Sequence, residues 1–229
     1  MKFEIKNWSK LKDSSTPKLL IIGCSDSKQT QQNQIEVNPH NYDFGPDISD
    51  ARESRMIQYT DLLNNPDHAN YFVKKRNGNQ VYAEYFQDSL NENFYQAINL
   101  YGSNGSPFFN VIMKELYRNK IGNNNNNLHL LIVSGLYGIL KYDDCINDYH
   151  LKIDKRPNIW GNSILLAVNN YIKKNNIDND AVFYSLSDKY LYRLNPVNID
   201  WTNLWKKYGH NGERGKKQAA DLKKFLNNL

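Results

Sequence analysis

The sequence predicts an α/β fold, a single domain over residues 1–229 with a central, mostly parallel (mixed) sheet flanked by helices. Three short apolar runs carry that expectation: Lys18 to Gly23 ("KLLIIG"), Leu128 to Ser134 ("LHLLIVS") and Ala181 to Leu186 ("AVFYSL"). Each is continuous rather than alternating, which suits a strand covered on both faces. Between them lie longer amphipathic stretches, and helices laid on a parallel sheet are the simplest way to bury both.

Element by element, the first strand at Lys18 to Gly23 leads into a polar stretch, Gln29 to Pro46, that reads as a loop or flap with Pro39, Gly45 and Pro46 as its breakers. Helical periodicity follows at about Ser49 to Leu63, Val81 to Leu100 and Pro107 to Arg118, which together form a variable helical insertion at about 49–120. The asparagine run Asn123 to Asn127 has no apolar content and reads as a surface loop before the second strand. Ser163 to Lys174 is the helix that precedes the third strand, and Lys216 to Leu229 closes the chain. No internal repeat is present.

Chemistry is expected where strands end. In an open α/β sheet, ligands collect at the C-terminal ends of the strands, where the loops are free to vary. After the first strand come Cys24, Ser25, Asp26, Ser27 and Lys28, a thiol, two hydroxyls, a carboxylate and an amine in one turn. After the second comes "SGLYGILKYDDCINDYHL", whose glycines at 135 and 138 let the backbone pass close to a ligand. The two turns are expected to line one pocket.

The net charge of +5 lies entirely near the C-terminus. Residues 201–229 hold seven cations, among them Arg214, Lys216, Lys217, Lys223 and Lys224, against Glu213 and Asp221; the remainder carries 22 basic and 22 acidic residues. Such a segment attracts polyanions, though a solvated helix face has the same composition. The two cysteines, Cys24 and Cys145, have no partners at zinc-site spacing, so neither disulfide nor metal is expected, and no cofactor. No apolar run reaches the ~18 residues of a membrane span, and no signal segment follows Met1; a cytoplasmic location without membrane contact is expected.

Ser134-Gly135-Leu136-Tyr137-Gly138, followed by Leu140, Asp144, Ile146, Tyr149 and Leu151, resembles the "SGLYGxLxxxDxIxxYxL" core of the peroxide-stress YaaA family. Trp160-Gly161, "SLSDKYLYRL" and "GERGKKQAADLKKFL" are similar to further stretches of that family, and Ser25-Asp26-Ser27-Lys28 to its "SPAKT" turn. Gly23-Cys24-Ser25 also resembles a related family of small bacterial proteins that begin "CSxxK". What the resemblance implies is one α/β domain with a DNA-binding groove and a role in limiting oxidative damage to DNA.

The residues allow several roles. Lys28 suits a phosphate anchor, or a nucleophile toward a sugar C1′. Asp144, which the family pattern selects over Asp143, suits stabilisation of positive charge on a ribose, orientation of Lys28 or acceptance from a base edge, and equally a turn-capping aspartate. Tyr149 suits stacking or the core. Cys24 suits a nucleophile or redox sensor or, since no local histidine would form its thiolate, a small buried residue within the substrate-binding set. Ser25, Ser27, Ser134, Gly135, Tyr137 and Gly138 complete the expected substrate-binding set. In "INLYGSNGSPFFNVI", Gly102 and Gly105 resemble the glycines of a helix-hairpin-helix that grips a DNA phosphate, or else mark a plain turn between antiparallel helices. Arg214, Lys216, Lys217 and Lys223 are the expected backbone contacts of a nucleic acid.

Two classes of function follow. One is an enzyme acting on a nucleobase or nucleotide, at an N-glycosidic or related bond; the other is a non-catalytic DNA-binding stress protein. A small-molecule nucleotide-modifying enzyme is the third alternative.

Overall fold

The computed structural model of the chain describes residues 16–25, 28, 30, 34–35, 42–76, 78–92, 94–102, 127–153, 159–186, 190, 202–203 and 220. At its centre, β1 (Lys18–Gly23) lies between two parallel neighbours, β6 (Leu128–Ser134) and β9 (Val182–Ser185). Beyond β9 comes β10 (Thr202–Asn203), and β7 (Gly138–Lys141) folds back antiparallel on β6. The order β10-β9-β1-β6-β7 is thus a mixed, mostly parallel sheet.

Alternation along these strands divides the core in two. Leu20 and Ile22 of β1, Leu130 and Ile132 of β6 and Phe183 of β9 belong to one apolar cluster. Their neighbours Leu19, Ile21, Leu131, Val133 and Val182 belong to the other. Successive strand residues face opposite ways, so a continuous apolar run serves both layers at once.

One layer is closed by helix α4 (Ser163–Lys174), whose Ile164, Ala167, Val168, Tyr171 and Ile172 are buried at helical spacing. Over the other lie a 3₁₀ turn (Pro66–Phe72), α2 (Ala83–Glu92) and α3 (Ala97–Gly102), which bring Phe72, Phe86, Ile98 and Tyr101. The long α1 (Pro46–Asn64) serves both: Ile48 and Ala51 pack on the first layer, Tyr59 and Leu63 on the second. Proline at its first position has the φ a helix start requires.

Two small sheets complete the frame. A hairpin joins β3 (Lys74–Arg76) to β4 (Asn79–Val81) through Gly78 at φ +86°, and β2 (Gln34–Ile35), β5 (Phe94–Gln96) and β8 (Cys145–Ile146) pair antiparallel. These pairings correct two expectations. The single helix expected over Val81 to Leu100 is two helices split by β5, because Tyr95 and Gln96 pair with Ile146 and Cys145. The stretch Gln29 to Pro46 contains a strand, Gln34–Ile35, and gives way to α1 at its last residue. The helix expected at Pro107 to Arg118 lies outside the described residues, as does all of Lys216 to Leu229 except Ala220.

Candidate ligand site at the ends of the parallel strands

β1 is the central strand of the sheet, flanked by the parallel strands β9 and β6, so the segments that follow β1 and β6 leave from the same edge of the sheet, where ligands collect in open α/β folds. The β1–β6 ladder runs one residue past the strands, with Cys24 N donating to Val133 O at 2.8 Å. The two expected turns therefore start side by side.

In the first, Cys24 is half-buried with its Sγ 3.3 Å from Tyr190 Oη, and Ser25 follows it, half-buried. Lys28 is only 5% exposed. Its Nζ donates to Tyr149 O at 2.6 Å and stands 4.1 Å from the centre of the Tyr149 ring and 5.7 Å from that of Tyr101. A primary amine is thus held among aromatic faces beside the strand ends, an arrangement that attracts cations.

In the second turn, Ser134 is fully buried at the end of β6. Its Oγ shares a hydrogen bond with Tyr149 Oη at 2.7 Å and accepts one from Tyr137 N at 3.0 Å; Tyr149 Oη meets Tyr101 Oη at 2.8 Å. Burial, and after it the nearby Cys24, pushes the Tyr149 and Tyr101 hydroxyls well above the ordinary phenol range. Tyr137 Oη donates to Asn147 Oδ1 and accepts from Asn147 N. A Cβ on Gly135 would press on Leu151 O, and Gly138, at φ +74°, lies against the Trp160 ring. Here glycine is needed for close approach at 135 and for backbone conformation as well at 138.

Two arginines one turn apart on α1 hold this turn from outside. Arg52 donates to Tyr137 O and Ile139 O, and Arg55 donates to Gly135 O and Lys152 O, each at 3.1 Å, and to Gln58 Oε1. Burial lowers the Arg52 guanidinium from its ordinary value, with Asp144 opposing.

Asp144 is buried, and both its oxygens accept backbone amides: Oδ1 from Tyr42 N at 2.7 Å, Oδ2 from Lys141 N at 2.8 Å. Burial raises its carboxyl above the ordinary range, while these two bonds and Arg52 pull the other way. Lys28 and Asp144 have different partners among the described residues. Lys28 sits with Tyr149 and Tyr101 in one layer, whereas Asp144 ties the 141–144 turn to Tyr42, which packs on the other.

Other groups at the site lack a strong sequence signal. Arg76, at the end of β3, donates through Nε to Asp148 Oδ2 at 2.6 Å and through Nη2 to Tyr149 O at 3.4 Å, so it meets Lys28 at the same carbonyl. Tyr85 Oη, whose ionisation burial pushes up to about 12, donates to Asp148 Oδ2 at 3.2 Å. Asn77-Gly78 is the one local clue, since that dipeptide marks a hairpin and would place Arg76 at a strand end. Ser27, Gly105, Arg214, Lys216, Lys217 and Lys223 lie outside the described residues, and Gly102 ends α3. Among the described residues no group of three His, Cys, Asp or Glu is placed to hold a metal ion, and no helix is long and apolar enough to cross a membrane.

A family profile described as peroxide stress protein YaaA matches residues 19–200. The chain belongs to this family. The matched span of the YaaA profile covers both turns and excludes the cationic residues beyond 200. A UPF0246 protein of Rickettsia rickettsii (strain Iowa) is 29% identical over 164 residues, 65% of this chain and 64% of the relative, so the match spans just under two thirds of that protein. A UPF0246 protein of Ralstonia pickettii (strain 12J) is 32% identical over 95 residues, 33% of this chain and 36% of the relative.

Proposed function

We propose that this YaaA-family chain recognises a nucleobase or nucleotide of DNA at the ends of β1 and β6, with Lys28 as the group that meets it. The observation that carries the reading is the Lys28 ammonium, 5% exposed, fixed on Tyr149 O and flanked by the Tyr149 and Tyr101 rings. A buried amine has two uses there. It anchors a phosphate by charge, or, once deprotonated, it attacks a sugar C1′. In the second case the C–N bond forms as the glycosidic bond breaks, the electron pair leaves with the base, and the amine's proton follows it. Asp144 acts at one remove, fixing the 141–144 turn through two amides.

Base release from a panel of unmodified and modified DNAs, measured beside duplex affinity, tests this. Lys28→Ala abolishes release and leaves affinity within about threefold, because one phosphate contact among many contributes little. Equal loss of both makes Lys28 a backbone contact. Binding without release by the wild-type chain leaves the second reading, a DNA-binding stress protein, which the cluster of seven cations over residues 201–229 favours.

A further inference from the structure

Asp148 is fully buried, and its two oxygens differ. Oδ2 is doubly held, by Arg76 Nε and Tyr85 Oη, whereas Oδ1, equally buried, has no hydrogen-bond partner. Ser89 stands one turn beyond Tyr85 on α2, hence on the same helix face, and is 1% exposed. Its Oγ is likewise buried without a partner, while its backbone carbonyl accepts from Asn147 Nδ2 at 2.8 Å. The two orphan oxygens thus belong to residues of one seam, where Tyr85 and Ser89 of α2 meet the segment 147–148, and Arg76 links that seam to Tyr149 O, where Lys28 binds.

Buried polar atoms without partners are costly, so such a pair marks a place that something else completes. A carboxylate oxygen takes only a donor; a serine hydroxyl gives or takes one. An exocyclic amine beside a ring nitrogen acceptor offers both complements, and adenine and cytosine carry that edge.

We infer that Asp148 and Ser89 are the specificity-determining pair of the site, and that they select a base with an amino group next to a ring nitrogen. Asp148 Oδ1 accepts from the amine, and Ser89 Oγ donates to the ring nitrogen. Arg76 and Tyr85 hold the carboxylate in place through its other oxygen. Both orphan atoms are closed from solvent, so entry of the base requires the side chains covering them to part. The inference rests on the nucleobase reading above.

Binding of matched pairs that differ only by the amine, adenine against purine and cytosine against 2-pyrimidinone, is measured with the full chain by ligand-observed NMR. The wild-type chain prefers the amino member of at least one pair by about tenfold or more, since a hydrogen bond to a charged group contributes that much. Asp148→Asn and Ser89→Ala each bring the ratio toward one. A ratio of affinities is independent of how much protein is folded, and Ser89→Ala keeps the buried Arg76–Asp148 pair intact. Lys28→Ala leaves the ratio unchanged, because the free bases carry neither the phosphate nor the sugar that Lys28 meets. Equal affinity for both members in the wild-type chain, or a preference that survives Asp148→Asn, overturns the inference and assigns the orphan atoms to a buried water; the nucleobase reading then stands, provided the bases bind. Absence of binding by any of the four bases and by their nucleotides overturns both.

Discussion

Gly135 has a packing reason to be glycine: a side chain there would press on the carbonyl of Leu151. Gly135→Ala forces backbone apart and destabilises by about 2–3 kcal/mol, the cost of overpacking a rigid site, read as a lower urea midpoint with an unchanged slope. Its neighbour Gly138 is positioned by a different demand, a φ of +74°. A second residue carries a pH effect. His129 Nδ1 is 2.9 Å from Tyr171 Oη, and burial, with Lys141 after it, lowers the imidazole's pKa below the ordinary histidine value. As pH falls through about 6.5 the unfolded chain takes up a proton that folded His129 resists, so stability falls toward acid. Wild-type urea midpoints at pH 7.5 and 5.5 differ by more than those of His129→Gln, which lacks that titration; identical differences would contradict the assignment.

Among the elements, α1 does most to shape the site although the expected substrate set contains none of its residues. Arg55 is nearly inaccessible and donates to carbonyls of both the 134–138 turn and the segment after Leu151. Arg55→Met keeps the buried volume but strands those carbonyls, costing about 2–4 kcal/mol, whereas the exposed Glu53→Ala on the same helix stays within about 0.5 kcal/mol. Thermal unfolding of the two variants provides the comparison. This division shows what the sequence could disclose. Strands β1 and β6 and helix α4 were legible to the residue because a doubly covered strand is an unbroken apolar run, and a helix on a sheet has a 3.6-residue stripe. β5 was not legible: Phe94–Gln96 is helical by pattern and becomes a strand only through distant partners at 34–35 and 145–146. The Arg76–Asp148 pair was hidden for the same reason, since 72 residues separate its members and neither has local context that distinguishes it from a surface charge. Lys28 was visible because its turn follows directly from a legible strand.

At the scale of the whole molecule, the charge is divided in sequence from the two turns that follow β1 and β6. The turns lie within the span that matches the family, while the net +5 comes from residues 201–229. If that segment lines part of a DNA groove it covers about four to six phosphates, giving a slope of log K against log salt of about −3.5 to −5.5. Replacing Arg214, Lys216 and Lys217 by Ala makes the slope shallower by roughly two to three units and weakens all sequences alike, as a titration of labelled duplex at several salt concentrations would show. A salt-independent affinity would instead favour a free nucleotide as the ligand.

The central position of β1 also sets a timetable. Its sheet partners begin at Leu128 and Val182, so this apolar strand is made over a hundred residues before either neighbour. At ribosomal speeds of about 5–20 residues per second, "LLII" waits on the order of 5 to 20 s for β6, and longer for β9. A nascent chain in that interval presents a naked sticky edge to every other chain being made nearby. The central place β1 takes in the finished sheet thus leaves both of its edges unpaired in the nascent chain until β6 and β9 have been made.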